Sequence, residues 1–175
     1  MPNITLPDGS ERQFDTATSG AEIAAGIGEG LARAAVAVRV NGELWDLTRA
    51  IESDANIEIV VRDSDEGIEL LRHDAAHVLA EAVKELWPNT QVTIGPAIEN
   101  GFYYDFSRDE PFTEADLEKI EQRMKEIVDR DESIEREVWK RDEAVSFFRD
   151  MGEEYKAEII ESIPSDENIT LYRQG

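Results

Sequence analysis

Two histidines and one lysine have the types and positions suited to chemistry in this chain. His73 and His77 are the only histidines among 175 residues. Standing four apart, they lie about one turn from each other on a helix. That spacing serves two zinc ligands, two imidazoles lining a polar cleft, or two surface histidines. The residue after His73 is Asp74, not the Glu of a metalloprotease pair, and the chain holds no cysteine to complete a tetrahedral site. Lys156 falls close to a helix start in Gly152-Glu153-Glu154-Tyr155-Lys156, where the helix dipole does not favour a cation. It reads either as a charge aimed at a substrate or as a solvated lysine paired with a local glutamate. Tyr103 and Tyr104 alternate faces of an extended segment, so one hydroxyl can reach a cleft while the other packs.

The histidines need a helix to hold them, and residues 66–87 supply one. Ile68, Leu71, Ala75, Leu79, Ala82 and Leu86 recur at helical spacing as an apolar stripe. At roughly 100° per residue both histidines point away from it, toward the side that carries Lys84. Pro88-Asn89 stops the helix. Val92–Pro96 and Ile98–Phe106 read as strands, with Asn100-Gly101 as a hairpin signal. Thr113 with Asp116 forms a capping box for a long helix whose stripe is Leu117, Ile120, Met124, Ile127 and Val128. Ile134–Lys140 reads as a strand, Asp142 as the cap of a short helix ended by Gly152, residues 153–162 as another helix, and Ile169–Tyr172 as a last strand.

The first sixty residues form a separate pattern with no catalytic grouping. Asn3–Leu6 and Glu11–Phe14 flank the turn Pro7-Asp8-Gly9-Ser10. Ser19 with Glu22 caps a helix bearing Ile23, Ala24 and Ile27, stopped by Gly26, Gly28 and Gly30. Those glycines follow a helix rather than a strand, which excludes the dinucleotide fingerprint. Ala35–Val40 and Glu43–Asp46 flank Asn41-Gly42, a type I′ signal. A loop covers Leu47–Ala55, and Ile57–Val61 is the last strand. Strands, a helix and further strands in this length predict a β-grasp, ubiquitin-like domain. A polar linker from Arg62 to Glu66 separates the domains. The expected fold is therefore α+β, with a β-grasp domain over 1–62 and an incomplete two-layer sheet-and-helix domain over 63–175.

A net charge of −22, with charged residues at 33%, repels phosphate backbones and argues against an autonomous grip on DNA. The acidic residues are spread along the whole chain, a pattern suited to a high-salt interior or to an ordinary acidic protein. No apolar run approaches a membrane span, and no secretory pattern opens the chain. A cytoplasmic protein with no membrane partner is expected.

Longer stretches then resemble a family. Residues 1–10, Met-Pro-Asn-Ile-Thr-Leu-Pro-Asp-Gly-Ser, followed by Val40-Asn41-Gly42-Glu43-Leu44, resemble the TGS domain that opens threonyl-tRNA synthetases. Arg72-His73-Asp74-Ala75-Ala76-His77, Leu86-Trp87-Pro88, Ile94-Gly95-Pro96, Asn100-Gly101-Phe102-Tyr103-Tyr104-Asp105 and Gly152-Glu153-Glu154-Tyr155-Lys156 are similar to the editing domain of the bacterial-type enzymes. The resemblance implies hydrolytic proofreading of serine wrongly attached to threonine tRNA. His73 and His77 would line the site, Lys156 would hold or polarise the attacking water, and Gly95 and Tyr104 would shape the pocket. It also implies no cofactor in this stretch. ATP, magnesium and zinc would belong to the synthetase core, as would the homodimer contact, and threonine tRNA would be the partner of the full-length enzyme.

In the family, the strand resembling Ile169-Thr170-Leu171-Tyr172 leads into an Asp-x-Cys-Arg-Gly-Pro-His segment that adds cleft residues, which this sequence does not include. The expectation is an N-terminal fragment with an incomplete pocket, unable to aminoacylate and nearly inert in proofreading. Two other readings stand beside it: a docking module built on the β-grasp domain, and a metal-dependent hydrolase built on His73 and His77.

Overall fold

The computed structural model describes residues 1–174; Gly175, the end of the expected second domain, lies outside the described residues. In chain order the elements are β1 (Asn3–Thr5), β2 (Glu11–Gln13), β3 (Thr18–Ser19), α1 (Gly20–Ile27), α2 (Glu29–Ala34), β4 (Ala35–Val40), β5 (Glu43–Trp45), β6 (Ala50–Ile51) and β7 (Ala55–Val61). There follow α3 (Asp65–Leu86), β8 (Gln91–Val92), β9 (Ala97–Ile98), β10 (Gly101–Phe102), β11 (Phe106–Ser107), α4 (Glu114–Asp129), β12 (Ile134–Trp139), α5 (Arg141–Asp150), α6 (Glu154–Ser162) and β13 (Ile169–Gln174). The fold is α+β. Two compact units divide between Arg72 and His73, within α3. The first turns of that helix are tied to the first unit: Arg39 pairs with Glu66 at 2.5 Å, and Ser64 Oγ donates to the Val61 carbonyl at 2.7 Å.

The first unit is a five-stranded sheet in the order β2-β1-β7-β4-β5. Its central pair, β1 and β7, is parallel, and the other neighbours are antiparallel. α1 begins at the expected Ser19–Glu22 capping box and buries Ile23 and Ala24 in a core with Ile4, Val38, Ile51 and Ile57. Asn41 and Gly42 both take positive φ, 50° and 91°, as a type I′ turn requires. Three local expectations need correction. Gly28 ends α1 as its C-cap, but Gly26 lies inside that helix, and a second helix, α2, runs through Gly30 directly into β4. Ile27 is not part of the buried side but 42% exposed. The expected loop 47–55 contains β6, which pairs with β3 and inserts Ile51 into the core.

In the second unit, α3 packs on α4. Ala82 and Val83 meet Ile120 and Ile127, with Met124, Phe106 and Phe112 closing the cluster. The stripe predicted for α4 is narrower than expected, since Leu117 and Val128 are exposed; Ile120, Met124 and Ile127, at i, i+4 and i+7, carry the contact. Ile68 and Leu71 of the α3 stripe are likewise exposed. The two longer strands expected over 92–106 are instead two short antiparallel pairs, β8–β11 enclosing β9–β10. Pro96 has no N–H to extend a ladder there. A second core joins α5, α6 and the antiparallel β12–β13 pair through Ala144, Val145, Ala157, Ile160 and Ile169. α5 starts after Lys140 with no side-chain cap, so Asp142 is inside the helix and not its cap. It ends in a Schellman turn. Gly152 at φ 76° donates to the Arg149 carbonyl, and the next N–H, of Glu153, reaches the Phe148 carbonyl at 2.8 Å.

Candidate functional site

The second unit brings the histidine face of α3 toward the start of α6. His73 and His77 meet directly: their Nε2 atoms are 3.0 Å apart and their rings cross at 79° with centroids 4.6 Å apart. One Nε2–H must donate to the other Nε2, so the accepting ring is neutral and carries its own proton on Nδ1. Both residues are exposed. Crowding by surrounding protein is the largest influence on His77 and pushes its pKa down, and the neighbouring His73 and Lys156 add to this against the opposing pull of Asp74. A neutral imidazole is therefore favoured at position 77.

Two turns further along the same face, Lys84 anchors the arrangement. Its ammonium donates to Glu153 Oε1 at 2.6 Å and to the carbonyls of Pro88 and Thr90 at 2.8 and 3.1 Å. Glu153, at the N-cap of α6, is only 3% exposed. Lys156 follows one turn later, half-buried, with its ammonium 5.3 Å above the Phe148 ring. Burial pulls the Lys156 pKa down, Glu153 resists, and Lys84 pulls further down.

Gly95 and Tyr104 come together as one wall. A side chain at 95 would collide with the Tyr104 ring, which stacks on Phe106 at 4.9 Å and 21°. Burial raises the Tyr104 pKa, with the Glu153 charge a second cause. Of the two tyrosines, Tyr104 is the packed one and Tyr103 the exposed one, at 49%. The five residues expected to form a site thus fall into a helix-borne pair (His73, His77), a lysine that acts electrically on His77 (Lys156), and a wall (Gly95, Tyr104). Glu153 was not anticipated. It influences both Lys156 and Tyr104, yet in the sequence it is one of 40 acidic residues, and nothing in its spacing announces burial.

Among the described residues no three or more His, Cys, Asp or Glu side chains cluster as metal ligands, and two imidazoles alone fall short of the three protein ligands of a catalytic zinc. What the arrangement can do is orient a water molecule against neutral imidazole nitrogens and place a cation beside it. No described helix is long and apolar enough to cross a membrane.

Comparison with known proteins gives two findings. Residues 2–61 match the family model of the TGS domain. The whole chain is also similar to threonine–tRNA ligases: 63% identical to that of Paramagnetospirillum magneticum, covering 28% of it, and 59% identical to that of Granulibacter bethesdensis, covering 27%. It is 60% identical to the ligase of Phenylobacterium zucineum, again over 100% of this chain and 27% of that protein. The chain therefore spans little more than a quarter of the length of these curated relatives.

Proposed function

We propose that this chain is the N-terminal region of a threonine–tRNA ligase, and that its second unit contributes a hydrolytic site that removes serine from threonine tRNA. End-to-end similarity to ligases of that name supports the first part. The second part rests above all on the hydrogen-bonded His73–His77 pair, with the Lys156 charge acting on His77. A ligase for threonine faces a physical problem that such a site addresses. Serine is smaller by one methyl group, and one methylene-sized difference yields only about 1–3 kcal/mol of discrimination. A second pocket that accepts the smaller ester and hydrolyses it supplies the rest.

In this reading the neutral imidazoles hold and deprotonate the attacking water. The water oxygen bonds to the seryl carbonyl carbon, the imidazole passes the proton it took to the ribose oxygen as the ester bond breaks, and free serine and tRNA leave. Lys156 stabilises the charge that develops on the carbonyl oxygen. Tyr104, seated on Gly95, limits the space around the amino-acid side chain. The longer protein carries out ligation in a class II core that holds ATP, magnesium and zinc and forms the homodimer, and it works in the cytoplasm. No residue of this chain is assigned to those groups.

The test is deacylation of seryl-tRNA(Thr) by this chain and by the full-length ligase. The full-length protein should hydrolyse the ester, and His73→Ala or Lys156→Ala should lower the rate at least about 100-fold while threonylation persists. An active full-length ligase that leaves seryl-tRNA(Thr) intact would sink the hydrolytic part and leave only the identity of the parent.

A further inference from the structure

Glu153 is the only carboxylate among the buried described residues. A carboxylate withdrawn from water is costly unless its charge is paired and its lone pairs are engaged. Half of that requirement is met. Oε1 accepts from Lys84 at 2.6 Å, whereas Oε2 is buried without a hydrogen-bond partner among the described residues. Lys84 has nothing more to give, because its three donors go to Glu153, Pro88 and Thr90. One turn along α6, Lys156 is half-buried and rests over Phe148, with no ion pair within 4 Å among the described residues. A buried carboxylate with a spare acceptor thus stands one turn of α6 from a lysine that has no ion pair among the described residues.

We propose that Glu153 is a positioning residue: clamped by Lys84, it is the counter-ion of Lys156 and ties that lysine to the helix that carries His73 and His77. This deepens the hydrolytic reading of the site, but the Lys84–Glu153 ion pair and the unpartnered Glu153 Oε2, one turn of α6 from Lys156, stand without it. The Schellman turn at Gly152 delivers Glu153 to its buried position, and Lys84 fixes its rotamer. Burial and Lys84 both favour loss of the Lys156 proton, and Glu153 is the group that opposes them. The remaining charged or titratable groups acting on this cluster are His77, His73 and Asp74 from α3 and the Tyr104 hydroxyl. Without Glu153, Lys156 would turn neutral at lower pH and cease to stabilise an oxyanion.

The chain has five lysines, so reductive ¹³C-dimethylation gives a readable set of NMR signals, with Lys156 assigned by its loss in Lys156→Arg. In Glu153→Gln the Lys156 titration midpoint should fall relative to the unaltered chain, and in Lys84→Met it should rise. An unmoved midpoint in folded Glu153→Gln overturns the proposal. Should that variant fail to fold, the Glu153 carboxyl ¹³C signal of the unaltered chain decides. It should inflect at the Lys156 midpoint and lose that inflection in Lys156→Met; a carboxyl indifferent to Lys156 overturns the proposal equally. In the full-length ligase, Glu153→Gln should move the alkaline limb of seryl-ester hydrolysis to lower pH by the same interval. If the midpoint moves but the unaltered ligase hydrolyses no seryl ester, the counter-ion role stands and the proofreading reading falls.

Discussion

Tyr104 occupies the space in which a side chain at Gly95 would begin: a Cβ there would lie 2.7 Å from the ring Cγ and closer still to the ring edge. The glycine is required by this close approach, because its φ is not in the left-handed region. Gly95→Ala should push the ring from its stack on Phe106 at a cost of about 1–3 kcal/mol, the range for overpacking. Urea unfolding and near-ultraviolet circular dichroism read the two effects. In the full-length ligase, seryl-tRNA(Thr) hydrolysis should fall about tenfold or more through misplacement of the wall. Unchanged stability with an unchanged aromatic spectrum would mean that the ring yields freely and shapes nothing.

His77 should titrate below the ordinary histidine value of about 6.5. Its folded pKa is depressed by crowding and by its cationic neighbours, so the unfolded chain binds the proton first as pH falls. The neutral form's contribution to stability is present above about 6.5 and is lost as pH drops from there through the lower folded value. Nuclear magnetic resonance of the two imidazoles gives the midpoints directly. In Lys156→Met the His77 midpoint should rise, since one of the causes holding it down is removed. A midpoint indifferent to that change would separate the lysine from the histidine pair.

Elements whose cause is local were legible in the sequence. The Ser19–Glu22 and Thr113–Asp116 capping boxes are four-residue patterns that satisfy their own backbone donors, and Asn41-Gly42 needs nothing beyond its φ preferences. What was not legible depends on partners distant in the chain. Ile51 enters the core because β6 finds β3, some thirty residues earlier. Leu117 and Val128 look like stripe residues, but α4 presents only a narrow strip to α3. The site divides the same way: His73 and His77 are set by one helix, whereas the burial of Glu153 depends on Lys84 reaching it from α3.

Gly152→Ala tests the turn that ends α5. With φ at 76°, an alanine there pays the left-handed penalty of about 1 kcal/mol. The Glu153 backbone bond to Phe148 should loosen, and amide exchange at Glu153 should accelerate relative to its neighbours. Stability lost with no change in Glu153 exchange would place the strain elsewhere.

Salt should stabilise the chain. With a net charge of −22, self-repulsion opposes compaction, and molar KCl shortens the screening length to about 3 Å. Raising KCl from 0.05 to 1 M should lift Tm by about 5 °C or more. A Tm that ignores KCl would show that the acidic surface is too dispersed to strain the fold, and would remove the high-salt interior as its explanation.

Glu85 joins α3 to α4 by accepting from both Arg123, at 2.7 Å, and Arg130, at 2.6 and 2.9 Å. The hydrogen bonds from Arg130 and then Arg123 hold its carboxyl down to about 2. A carboxylate depressed in this way stabilises the fold above its ordinary value of about 4.5 and loses that contribution as pH falls toward about 2. Its partial exposure limits the size of the effect. Glu85→Gln should lower Tm by about 3 °C at pH 7, and the difference from the unaltered chain should shrink steadily between pH 4.5 and pH 2. The neighbouring Glu81 is affected in the opposite sense, since burial and the charge of Glu85 raise its pKa. Removing the Glu85 charge should therefore bring the Glu81 titration down, which a ¹³C carboxyl titration would register. A Tm difference that persists undiminished at pH 2 would show that Glu85 acts through packing rather than through its charge.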